Sequence, residues 1–103
     1  MIEIQVNKKS DPVEVTVKGN LVFSTVEELR EQLLKATPRK GALRLVLAEI
    51  QEFDLPGVQL LYALCRSGET GQVRTEIVLG ESAPRIDKMV RFAGLAPISC
   101  APP

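Results

Sequence analysis

A nearly unbroken apolar run, Leu43-Arg44-Leu45-Val46-Leu47-Ala48, leads through Phe53-Asp54-Leu55-Pro56-Gly57 into a second apolar stretch, Val58 to Cys65. Asp54 has the side chain of a helix N-cap, because its carboxylate can accept a bond from an amide that has no partner inside the helix. Pro56 suits a first helical turn, where a missing N–H costs nothing. Gly57 allows the opening turn to approach a neighbouring backbone closely. The junction therefore reads as a strand, a capped turn and a helix with one buried side. That sequence of elements restricts the chain to folds in which helices cross back over a sheet.

The flanking segments supply the rest of such a fold. Ile2, Ile4 and Val6 alternate with Glu3 and Gln5, and Val13, Val15 and Val17 alternate with Glu14, Thr16 and Lys18. Period-two patterns of this kind mark half-buried strands, here a hairpin turning at Asn7 to Pro12. Gly19-Asn20 breaks the pattern, and Leu21-Val22-Phe23 links it to a first helix. Ser24 and Glu27 have capping-box spacing, which predicts Ser24 as the N-cap. Val26, Leu29, Leu33 and Ala36 form the inward stripe of that helix, Glu31 and Lys35 pair on its wet side, and Pro38 and Gly41 end it.

The run Leu43 to Ala48 is read as a central strand covered on both faces. In the helix after Gly57, Leu60, Leu61, Leu64 and Cys65 mark the buried side. Gln59, Tyr62, Arg66 and Glu69 recur on the other, so Tyr62 is expected to be accessible. Gly68 and Gly71 are predicted to end this helix. Val73, Thr75, Ile77 and Leu79 alternate as another strand, closed by Gly80. Ser82-Ala83-Pro84 opens a third helix with Ile86, Met89, Val90 and Ala93 inward and Gly94 just past its end. The predicted order is β-β-α-β-α-β-α, an α/β fold with a mixed four-stranded sheet. Residues 1–95 are read as one domain and residues 96–103 as a tail.

Parallel strands joined by crossovers carry the loops after their C-terminal ends on a single rim. Gly19 to Ser24, Glu49 to Pro56 and Gly80 to Pro84 should converge there. Helix N-termini at that rim are able to bind phosphate, but Glu49, Glu52, Asp54 and Glu81 crowd it. No lysine, arginine or Gly-rich phosphate loop lies within these segments, so a nucleotide site is not expected. Glu52 and Asp54 are read as solvated or capping carboxylates rather than as an acid–base pair, and Ser24 and Ser82 as caps rather than phosphate acceptors. Leu55, between a capping Asp and a Pro, points away from the core in this reading and offers either an apolar contact to a partner or a local staple against Phe23 or Phe53.

Composition narrows the chemistry further. Lys and Arg number 13, Asp and Glu number 13, and there is no histidine. A balanced charge provides no broad field for nucleic acid or an anionic membrane. The missing histidine removes the commonest general base and metal ligand, and neither a catalytic residue, a metal nor a cofactor is expected. Cys65 and Cys100 are too far apart for a metal knuckle and suggest no redox pair; Cys65 is read as a buried structural residue. The N-terminus lacks signal-peptide character and no apolar run approaches a membrane span, which predicts a cytosolic chain without direct membrane insertion.

These segments together resemble the STAS domain, the fold of bacterial anti-sigma factor antagonists. Val17-Lys18-Gly19-Asn20-Leu21 followed by Ser24 to Leu29 is similar to the family's Gly-x-Leu turn into its first helix. Leu43 to Leu47 and Phe53 to Leu61 are similar to its central strand and Asp-Ser-x-Gly turn, and Gly94-Leu95 to the end of its last helix. The resemblance implies a non-enzymatic switch that binds an anti-sigma factor and serine kinase and is released by phosphorylation of the serine after the turn's Asp. In this chain that position is Leu55, which has no hydroxyl, and Val22 replaces the acidic residue that often follows Gly-x-Leu.

The Asp-Leu-Pro-Gly-x-Gln-Leu-Leu version resembles STAS proteins found with chemotaxis-type signalling components, and other relatives are accessory subunits of lipid-transporting ABC systems. The resulting expectation is a protein-binding adaptor in bacterial signalling and transcription regulation. Its partner surface comprises Asn20, Ser24, Asp54, Leu55, Pro56, Gln59, Tyr62 and Ser82. The alternatives are an ABC-system subunit or a small-ligand-binding domain. Self-association as a homodimer through the hairpin edge from Ile2 to Val6 is a further expectation left open.

Overall fold

Four strands form one mixed sheet in the order β1-β2-β3-β4, where β1 is Ile2–Asn7, β2 Val13–Leu21, β3 Gly41–Phe53 and β4 Val73–Val78. The computed structural model describes residues 2–9, 12–37, 41–70 and 73–95, the last four of the third stretch by backbone alone. Three helices complete it: α1 (Phe23–Ala36), α2 (Leu55–Thr70) and α3 (Ala83–Phe92), the last preceded by a short 3-10 turn over Gly80–Ser82. The expected α/β order is the observed one. The tail at 96–103 lies outside the described residues, as do Ser10 and Asp11 of the hairpin turn, Pro38 and Gly71.

β1 pairs antiparallel with β2, placing Ile4 opposite Val17 and Val6 opposite Val15. β2 with β3 and β3 with β4 are parallel, with Val15 beside Leu45 and Leu45 beside Ile77. The chain thus steps the same way across the sheet from β2 to β3 to β4. Crossovers of the near-universal right hand that step in one direction deliver their helices to one face. The burial pattern follows. Leu43, Leu45 and Leu47 are at most 1% exposed and pack in one cluster with Leu29 and Leu33 of α1, Val58 and Leu61 of α2, and Ile86 and Val90 of α3.

The alternate residues Ala42, Arg44, Val46 and Ala48 are only partly covered, so β3 is buried on one face, not on both. On the open face Arg44 lies 3.8 Å from Glu14 and 3.5 Å from Glu76, across both neighbouring strands. Such partly exposed pairs contribute little each, but they set opposite charges side by side along the sheet.

Several local expectations change in detail. β2 continues through Gly19 and Asn20 to Leu21, absorbing the break as register shifts against β3. α2 runs past Gly68 to Thr70. Among the described residues the ion pair on α1 is Glu27 with Arg30 at 3.9 Å, not Glu31 with Lys35. Cys65 is buried, as expected, and is disulfide-bonded, which was not; Cys100 lies outside the described residues. α3 ends in a Schellman motif, in which Leu95 N–H bonds Val90 C=O at 2.9 Å and Gly94 N–H bonds Arg91 C=O at 3.0 Å. The motif needs a left-handed residue, and Gly94 supplies it at φ 71°.

Candidate functional site

The three rim segments do meet, and Asp54 is where two of them are tied. Asp54 precedes the first residue of α2, its C=O accepts Val58 N–H at 3.1 Å, and its Oδ1 accepts Gly57 N–H at 3.2 Å. This is the N-cap expected of it. Its other oxygen, Oδ2, accepts Phe23 N–H at 2.9 Å, at the first residue of α1. One carboxylate therefore caps two helices and occupies the place an external anion would take at either.

The start of α1 is correspondingly different from the expected capping box. Val22 stands at the N-cap position, Ser24 is exposed inside the helix, and Thr25 is the buried hydroxyl. Thr25 Oγ1 accepts Val22 N–H at 3.1 Å and donates to Asn20 C=O at 2.6 Å. Asn20 is thus held through its backbone, while its Oδ1 is buried without a hydrogen-bond partner among the described residues. Behind this junction Asp54 N–H reaches Leu21 C=O at 3.3 Å. Gly57 is packed so tightly that a Cβ there would collide with the Leu21 carbonyl and lie 2.9 Å from Leu21 Cγ.

The third segment is joined by Arg85 of α3. Its guanidinium donates to the C=O groups of Ile50 and of Gln51, the latter at 3.1 Å, and lies 5.5 Å from the centroid of the Phe53 ring. Hydrogen bonds to carbonyls on one side and a cation–π contact on the other fix α3 against the end of β3. A groove of about 630 Å³ opens beside it, lined by Phe53, Leu55, Lys88, Met89 and Phe92 together with Asp54, Arg85 and Ala93.

Against this geometry the eight partner-surface residues separate. Leu55 is 41% exposed and opens into the groove, as its position between Asp54 and Pro56 suggested. Pro56 and Gln59 line a separate, smaller hollow with Val26, Glu27, Arg30, Leu60 and Ala63, between α1 and α2. Tyr62 is half-buried against the core rather than accessible, and burial, followed by the nearby Asp87 carboxylate, raises its pKa above 10.0. Ser82 is buried at 3% and donates its hydroxyl to Leu79 C=O at 2.8 Å, so it is neither the side-chain cap of α3 nor part of an exposed surface. Sequence reading missed Phe92, which is 89% exposed; Phe23, named there only as a staple for Leu55, is 76% exposed. Phe92 stands two residues past Val90 and off the Ile86/Val90 stripe, which was the available signal; Ala93, expected inward, is exposed too.

The comparison that decides the family is with protein-family models, where the one described as "Mlab, STAS domain" matches residues 4–98. The chain belongs to the STAS family. A search of the curated proteins finds no match. Membership carries a protein-interaction or ligand-binding role for this STAS domain. Among the described residues no helix is long and apolar enough to cross a membrane.

Proposed function

We propose that this STAS domain is a non-catalytic, cytoplasmic adaptor in bacterial signalling. It binds an anti-sigma factor or chemotaxis-type signalling protein through the surface around Leu55 and regulates transcription by occupying that partner. The observation that carries the reading is the exposure of Leu55 at the mouth of an apolar groove. The uncovered part of a leucine at the capped start of a helix gains from being buried by another protein. Phosphorylation at this position is chemically excluded, so the contact is constitutive or controlled elsewhere.

Constitutive contact also suits a second reading, an accessory subunit of a lipid-transporting ABC system. Pull-down with the native chain and with Leu55→Asp tests the first reading. Loss of partners in the variant supports it, and retention of every partner overturns it. Identification of an ATPase as the captured protein moves the assignment to the second reading.

A further inference from the structure

We infer that the groove between α3 and the start of α2 takes an acidic amphipathic helix presented by a partner protein. The inference rests on the reading of the Leu55 surface as a docking site and names what docks there.

The shape argues for a helix. Arg85, Lys88, Met89 and Phe92 line the groove from α3, and their spacing of three, four and seven places them along one helical face. Seven residues of helix advance about 10 Å. The inward face of α3 is already used by Ile86 and Val90, which are 1% exposed. The groove face is therefore a second, mixed stripe, apolar at Met89 and Phe92 and basic at Arg85 and Lys88, facing Leu55. Such a stripe is matched by a partner helix whose apolar residues recur at the same spacing.

The charge argues for an acidic helix. Among the described residues neither Arg85 nor Lys88 has a carboxylate in ion-pair contact, whereas Arg91 is paired with Asp87 at 3.2 Å. Arg85 directs its guanidinium to backbone carbonyls and to the Phe53 ring. Asp54 is the acid in the lining, and both of its oxygens accept helix amides. Glu52 and Glu81 are exposed but do not line the groove. The walls thus present two cations around an apolar floor, and opposite charge on the partner selects for orientation and rate of docking.

The test uses two synthetic helical peptides with the same leucine face, one flanked by glutamates and one by lysines, titrated against the full chain by fluorescence anisotropy. The glutamate peptide is expected to bind about tenfold tighter or better. Lys88→Glu should weaken it by about tenfold and improve the lysine peptide, and Phe92→Ser should abolish both. Circular dichroism confirms folding of each variant. Binding of neither peptide overturns the inference, as does binding of oleate or anionic vesicles in preference to the glutamate peptide. Equal binding of both peptides, lost in Phe92→Ser, overturns the acidic assignment alone. A Leu55→Asp chain that keeps all its partners overturns the docking reading itself.

Discussion

Asp54 Oδ2 accepts the backbone N–H of Phe23 at 2.9 Å, a bond between residues 31 apart in the chain. With Oδ1 on Gly57 N–H, the side chain closes the first turns of α1 and α2 together. Two of the three helices that cover the sheet are therefore capped by one carboxylate, and the segments carrying Phe23 and Leu55 are fixed relative to each other. Rigidity at this point matters for recognition, because a docking surface that is already ordered loses less entropy on binding.

Asp54→Ala should destabilise the fold by about 2 kcal/mol, roughly the sum of two lost N-caps. Asp54→Asn keeps one carbonyl oxygen as acceptor and should lose about half of that. Urea denaturation followed by far-ultraviolet circular dichroism measures both. Equal stability of Asp54→Asn and the native chain would show that only one of the two bonds matters.

Gly57→Ala reverses an ordinary rule. In an open helix the change is favourable by about 1 kcal/mol. Here the new methyl group runs into the Leu21 backbone carbonyl, which cannot rotate away. A loss of about 3 kcal/mol is expected, the upper end of overpacking. A melting temperature at or above the native value would contradict the close approach of α2 to β2.

Local patterns made most of the fold legible. Alternation in Val13 to Val17 and Val73 to Ile77, and helical spacing in Leu29, Leu33 and Leu61, depend on neighbours in sequence, and they placed the core correctly. What failed depended on distant partners. Ser24 looked like an N-cap because nothing local reveals that Asp54 reaches Phe23. The coverage of β3 was overstated because its leucines dominate the run, although Arg44 between them marked the open face. Ser82 reads as a rim residue in the sequence because the 3-10 turn that buries it has no helical or strand period. In the candidate site the exposure of Leu55 was readable from its place between a cap and a proline. The groove beside it was not, since its other wall comes from α3.

Tyr62 gives a titration free of interference, because the chain has one tyrosine and no tryptophan. Burial, and secondarily the Asp87 carboxylate, disfavour its phenolate and raise its pKa above 10.0. A raised folded-state pKa means that this contribution to stability is complete below the unfolded value and is lost as pH rises through the folded one. The ultraviolet absorbance of the phenolate should therefore appear at higher pH in the folded chain than in urea. Asp87→Asn should move the folded midpoint down only part of the way, because burial is the larger cause. A midpoint unchanged by unfolding would place Tyr62 in water.

Phe92 should be separable from folding altogether, and Leu55 only in part. At 89% exposure Phe92 buries little area within the chain, whereas Leu55, 41% exposed, has more than half of its surface covered; exposed positions away from caps and cores change stability by about 0.5 kcal/mol or less. Phe92→Ser should be neutral on this scale. Leu55→Asp places a charge in the first turn of α2, where the helix dipole favours an anion, but beside Asp54, which opposes it. These terms are each below about 1 kcal/mol and of opposite sign, so loss of the covered part of the leucine decides, and a destabilisation of about 1 kcal/mol is expected. Both variants remove apolar surface from an exposed patch, so attraction between copies at high concentration should be no greater than in the native chain. Static light scattering against concentration, read beside the melting curves, checks the pair. A large loss of stability in Phe92→Ser would mean that the groove is closed in solution and that this side chain belongs to the core.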